Sequence, residues 1–243
     1  MHRAFFLLVA CLAALAAGCA DGLMPETRYL NPWVRKQWDE DERAITTYHR
    51  KAADLAALRS QAGRLPEEQR EPISAQLAAR LKDERAPVLR VELVRALGEF
   101  QTPSARAAVQ AALSDEAATV RIAACKALSR HPAAESVEPL AQAISSDADL
   151  DVRIAAAESL GKFSGAALPA EERKRLAQSL RPALDDRDPA LQVAAMQSLT
   201  TITGRDNFRN DAPTWRQFLD GGNPTPPPPP TVAELLQRSM NWY

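Results

Sequence analysis

One ten-residue phrase recurs four times and constrains the fold more than any other feature of the chain. It reads Leu89-Arg90-Val91-Glu92-Leu93-Val94-Arg95-Ala96-Leu97-Gly98, then Val120–Ser129, then Val152–Gly161, and in a worn form Leu191–Thr200. Its second position falls at 90, 121, 153 and 192, at intervals of 31, 32 and 39 residues. Self-similarity at such a period marks a stacked repeat array. On a helix, at about 100° per residue, positions 1, 4, 5, 8 and 9 of the phrase share one side. In the third copy these are Val152, Ala155, Ala156, Ser159 and Leu160. Small residues there let a neighbouring helix approach closely. Such a helix cannot bury its apolar face alone, so it needs a partner helix and a neighbouring repeat.

The partner precedes it each time, over Glu67–Leu81, Ser104–Leu113, Ala134–Ile144 and Ala170–Leu184. Pro103, Pro132 and Pro169 stand near the starts of the last three, where proline is tolerated. An acidic turn joins each pair: Lys82-Asp83, Ser114-Asp115, Ser146-Asp147 and Asp185-Asp186. Arg90, Arg121 and Arg153 follow six or seven residues after Asp83, Asp115 and Asp147, which predicts a ladder of Asp–Arg bonds holding adjacent repeats in register; an anion-binding row of arginines on the surface is the alternative. In the fourth copy Gln192 replaces the Arg, and that repeat is expected to end the array on a longer first helix.

Helix pairs at this period, with Asp in the turn and Val-Arg opening the second helix, resemble the HEAT family. The nearer likeness is to the short HEAT-like repeats also found in phycobilisome lyases, over about half the chain. The resemblance implies an all-α fold, an α-solenoid of about four helix pairs over 67–203, with a concave surface made by the second helices. Positions 3, 7 and 10 of the phrase project away from the predicted core side. Position 3 is Val91, Ile122, Ile154 and Val193; position 7 is Arg95, Lys126, Glu158 and Gln197; position 10 is Gly98, Ser129, Gly161 and Thr200. They describe a shallow apolar channel with a charged margin for a protein partner. The alternative is that curvature lets each position 3 pack on its neighbour.

The flanks read in order. Residues 1–18 form a targeting segment: Arg3, then an apolar run Ala4–Ala17 too short to span a membrane. It ends Leu15-Ala16-Ala17-Gly18-Cys19, similar to a bacterial lipobox, which implies lipidation of Cys19 and a membrane anchor facing the periplasm or exterior. Ordinary secretion with cleavage near Ala20 is the alternative. Residues 19–32 read as a tether. Residues 33–62 form a helix expected to cap the array, since end repeats need a polar lid. Within 204–222, Gly204 ends a helix and Trp215, Phe218 and Leu219 are expected to seal the C-terminal end. Residues 223–230 are a proline-rich linker, extended at about 3.1 Å per residue. In 231–243, Thr231-Val232-Ala233-Glu234 has the capping-box form, and Val232, Leu235, Leu236 and Met240 make an apolar stripe. This short helix is a candidate for docking onto the channel.

Removing 1–18 leaves 29 basic against 31 acidic side chains. A near-neutral chain without a basic run argues against nucleic acid. Cys125 then has no partner except the lipidated Cys19 and reads as a small buried apolar residue. His49 and His131 lie on different elements and form no metal set. With no haem motif and no phosphate loop either, no enzyme, metal or cofactor is expected. The predicted role is a membrane-tethered protein-binding scaffold. An accessory factor for cofactor attachment, as in phycobilisome lyases, and a self-assembling envelope protein are the alternatives.

Overall fold

The computed structural model describes residues 32–163, 169–208, 210–225, 228 and 230–240. The targeting segment, Cys19, the tether up to residue 31, Trp242 and Tyr243 lie outside them. Among the described residues the regular structure is helical throughout. The chain divides into two compact units, one up to Asp54 and one from Leu55 onward. The first helix, α1 (Pro32–Gln61), crosses that division. In the first unit the rings of Tyr48 and His49 meet edge to face at 5.4 Å.

In the second unit four helix pairs follow one another. They are α2 (Glu67–Asp83) with α3 (Pro87–Leu97), α4 (Pro103–Ala111) with α5 (Ala118–Leu128), and α6 (Val137–Ser146) with α7 (Leu150–Gly161). The fourth is α8 (Ala170–Gln178) and α9 (Arg181–Leu184) with α10 (Pro189–Thr203). After them come α11 (Ala212–Leu219) and α12 (Val232–Met240). The second helices α3, α5, α7 and α10 pack in sequence, each against the next, and each packs against its own first helix.

Local chemistry explains the starts and stops. Thr102 Oγ1 accepts the Ala105 N–H ahead of Pro103, Asp149 accepts from Asp151 and Val152, and Asp188 accepts from Ala190 ahead of Pro189. These are N-caps, with proline at the position where its missing N–H costs nothing. Gly204 closes α10 in the left-handed region at φ +70°, donating its N–H to Thr200 O at 2.9 Å. The capping box of α12 is made in both directions: Thr231 N–H to Glu234 Oε2 at 2.8 Å and Glu234 N–H to Thr231 Oγ1 at 3.3 Å.

Two expectations change. The fourth first helix is not one long helix but two, broken at Ser179-Leu180. Pro182 is the reason: it has no N–H for the carbonyl of Gln178, and its ring crowds that carbonyl. The third first helix enters through a 3₁₀ turn at Ala134–Ser136, so its α-helix starts at Val137.

The core runs through the second helices on nearly every side. Positions 1, 5, 6, 8 and 9 of all four phrases are buried. Position 6 (Val94, Cys125, Ala157 and Met196) was not part of the face expected from periodicity. A helix flanked by a second helix on each side, and by its own partner, buries a wider arc than one with a single neighbour. At the N-terminal end Leu55 and Leu58 of α1 pack against this core, and Arg59 lies 3.8 Å from Glu92. At the C-terminal end Trp215 and Phe208 are fully buried. Phe208, Trp215 and Phe218 stack edge to face at 5.0–6.0 Å, a geometry their ring quadrupoles favour.

Candidate protein-binding surface

The acidic turns and the arginines that follow them position the second helices. Arg121 donates from Nε to Asp147 Oδ2 and from Nη2 to Asp147 Oδ1, both at 2.8 Å. Arg90 does the same to Asp115 at 2.9 and 2.8 Å, and its Nη2 also reaches Glu116 at 3.1 Å. Each Arg thus holds the acid of the following turn rather than the one preceding it in sequence. To its own turn it donates Nη1: Arg121 to Asp115 O at 2.9 Å, Arg153 to Asp147 O at 3.0 Å and Arg90 to Glu84 O at 3.4 Å.

The acid in turn holds its own loop. Asp115 Oδ1 accepts the Ala117 N–H, Asp147 Oδ1 that of Asp149, and Asp186 Oδ1 that of Asp188. In the first turn the same bond is made by Glu84, to Ala86 N–H at 2.9 Å. Glu84, not Asp83, is therefore the first member of the series, six residues before Arg90 as Asp115 is before Arg121. Asp83 is exposed and takes no part in the ladder. Asp186 receives Arg153 at a looser 3.6 Å, across the longest of the three intervals, and the buried Nε of Arg153 has no hydrogen-bond partner. Gln192 keeps the bond to its own turn, Nε2 to Asp186 O at 2.7 Å, and carries no fork for a further one.

Charge and burial act together on these pairs. Arg90 is only 7% exposed. Burial pushes the carboxyls of Asp115 and Asp147 up, but hydrogen bonds from Arg90 and Arg121 and from backbone N–H groups outweigh it and hold both below their ordinary value. The two arginines are held further toward the charged state by the same bonds. At the opposite end of α3 and α5, Arg130 pairs with Glu99, and His131 Nδ1 lies 3.1 Å from Gln101 Nε2.

The three positions expected on one channel separate. Position 7, Arg95, Lys126, Glu158 and Gln197, is exposed in all four copies. Position 3, Val91, Ile122, Ile154 and Val193, is half-buried and packs against the core. Gly98, Ser129 and Gly161 at position 10 are buried, so they leave the surface. A Cβ on Gly98 would lie 2.7 Å from that of Ala127, and one on Gly161 would lie 2.6 Å from Ser198 Oγ. These glycines set the spacing of successive second helices. What remains is a row of polar side chains over a half-buried apolar floor. Part of its charge is locally balanced, since Arg95 bonds Glu92 at 2.6 Å. Cys125 is buried, and burial pushes its thiol up to about 12.

Sequence reasoning missed the partners at the C-terminal end. Arg181 bonds Asp185 and Asp220, and Arg216 bonds Asp185 at 2.8 Å and the carbonyl of Leu184. These tie α11 to α9. No repeat spacing announces them, because they join an array element to a segment outside the period.

No curated protein matches the chain. The model of the family described as HEAT repeats matches residues 74–161, and the stacked helix pairs built on that stretch are a HEAT-repeat array.

Proposed function

We propose that this protein is a non-catalytic, membrane-tethered scaffold of the bacterial cell envelope that binds a protein partner along its second helices. The carrying observation is the row Arg95, Lys126, Glu158 and Gln197, exposed at one position of four consecutive second helices. HEAT repeats commonly mediate protein–protein interaction, which supports the coarse reading. The envelope location and the lipid anchor rest on the segment ending in Cys19. Two acyl signals anchor a protein stably where one does not, so a diacylated Cys19 would hold the chain at a membrane.

The test is crosslinking in native membranes, read by mass spectrometry, on the parent chain and on Lys126→Glu with Glu158→Lys. Both side chains are exposed, so the double variant is expected to keep its melting temperature and lose its crosslinked partner. An unchanged crosslink pattern would remove this face from consideration. Cys19→Ser is expected to release the protein from the membrane fraction; retention with unchanged gel mobility would exclude the anchor.

A second reading, self-association, is favoured by α12. Val232, Leu236 and Met240 on its apolar stripe are 74%, 58% and 77% exposed. Light scattering over a concentration series separates a monomeric scaffold from a self-assembling one.

A further inference from the structure

A cleft of about 370 Å³ opens between α8, the end of α10 and α11. Three cations border it, Arg173 and Lys174 from α8 and Arg205 from the turn after α10, and no carboxylate is among the described residues lining it. Part of its wall is apolar, formed by Ala177 of α8 and Phe218 of α11. In a chain of net charge −1 this is a local reversal of sign.

Arg205 is held in place there. Its guanidinium carbon lies 4.7 Å from the centre of the Phe218 ring and 5.4 Å from that of Phe208. Stacking on a ring face leaves the guanidinium's N–H edge available to an acceptor. Gly221 and Gly222 line another part of the wall. Gly221 has φ +86°, and a side chain at Gly222 would start 2.8 Å from Gln217 O. Glycine at both positions lets the turn run this tightly and keeps that wall free of side chains.

We propose that this cleft binds a small anionic amphiphile, with a carboxylate or phosphate head beside Arg205 and Lys174 and an aliphatic or aromatic body against Ala177 and Phe218. Small-molecule sites of about 300–1,000 Å³ are mostly apolar, carry a few placed polar groups and often lie between helices.

The test is isothermal titration of the purified protein with octanoate and octyl phosphate, against 1-octanol and acetate as controls. The two amphiphiles are expected to bind saturably at one site, and each control at least tenfold more weakly. The tighter of the two shows which head group the cleft prefers. Lys174→Gln with Arg205→Gln is expected to weaken binding at least tenfold. Ala170→Trp, at an exposed position of the lining, is expected to block it without touching any cation. Absence of saturable binding, equal binding of 1-octanol, or binding that survives Ala170→Trp would overturn the proposal. So would capture by phosphatidylglycerol vesicles without octanoate binding, which would indicate a membrane surface instead.

Discussion

Arg121 spans two repeats: its fork holds both carboxylate oxygens of Asp147 at 2.8 Å while its remaining nitrogen holds the backbone of its own turn. Removing it leaves the partly buried Asp147 carboxylate with only the Asp149 N–H and takes the Arg121 donor from the carbonyl of Asp115. Hydrogen bonds to charged groups are worth about 1.5–3 kcal/mol. Arg121→Ala is expected to cost about 2–3 kcal/mol in a denaturant melt. Arg121→Lys should recover only part of this, because a single ammonium cannot take both oxygens in one plane. A loss under 0.5 kcal/mol would show that the ladder contributes little to register.

The ladder also sets the response to acid. Asp115 and Asp147 are held below their ordinary value in the folded chain, so the unfolded chain takes up protons first as the pH falls. Their contribution is fully present well above the ordinary carboxylate value of about 3.9. It is lost as the pH drops through that value toward the depressed folded ones. Melting temperature measured between about pH 6 and pH 2 should fall most steeply at the acid end. Asp115→Asn with Asp147→Asn should lower it at neutral pH and flatten the acid slope.

Close approach of α3 to α5 depends on Gly98. Its added Cβ would meet Ala127 Cβ at 2.7 Å and Ala127 Cα at 3.1 Å. Overpacking a core contact costs about 1–3 kcal/mol, so Gly98→Ala is expected to destabilise by that amount. Ala127→Gly in the same chain should remove the nearest clash while adding its own helix cost of about 1 kcal/mol. A double-mutant cycle is expected to show favourable coupling between the two; strict additivity would mean the helices part without resistance.

Trp215 anchors the C-terminal closure and has no solvent exposure. Trp215→Ala is expected to cost about 3–5 kcal/mol, the range for a deleted large aromatic. Hydrogen exchange should then rise in α10 and α11 before it rises in α3 and α5, because each repeat contacts only its neighbours. Uniform loss of protection along the array would contradict this.

The helix pairs, their acidic turns and the closing aromatic helix were legible because each rests on local chemistry repeated in register. The direction of the ladder was not. Spacing places Arg121 six residues from Asp115 and 26 from Asp147, and proximity along the chain favours the wrong partner. The step of seven from Asp83 to Arg90, against six elsewhere, was the signal that Glu84 was the true counterpart. The surface was half legible. A 100° projection separates Lys126 from the core, but it treats the helix as having one neighbour. It therefore put Gly98 on the surface and left position 6, apart from Cys125, off the expected core face.

The offset of the ladder also decides where such a chain can be cut and spliced. A helix pair carries one donor whose acceptor belongs to the next pair and one acceptor for the pair before it, so excising any whole period keeps the ladder continuous. Residues 115–146 are one such period, with one socket, Asp115, and one plug, Arg121. Joining Ser114 to Asp147 would hand Arg90 a new aspartate in place of the one excised, and a chain so shortened is expected to keep a cooperative melt. An excision that took Asp115 but left Arg121 in place would strand Arg90 without an aspartate acceptor, since Asp147 is already held. Growth and loss of repeats by recombination should therefore proceed in whole periods, one turn acid and one following arginine at a time.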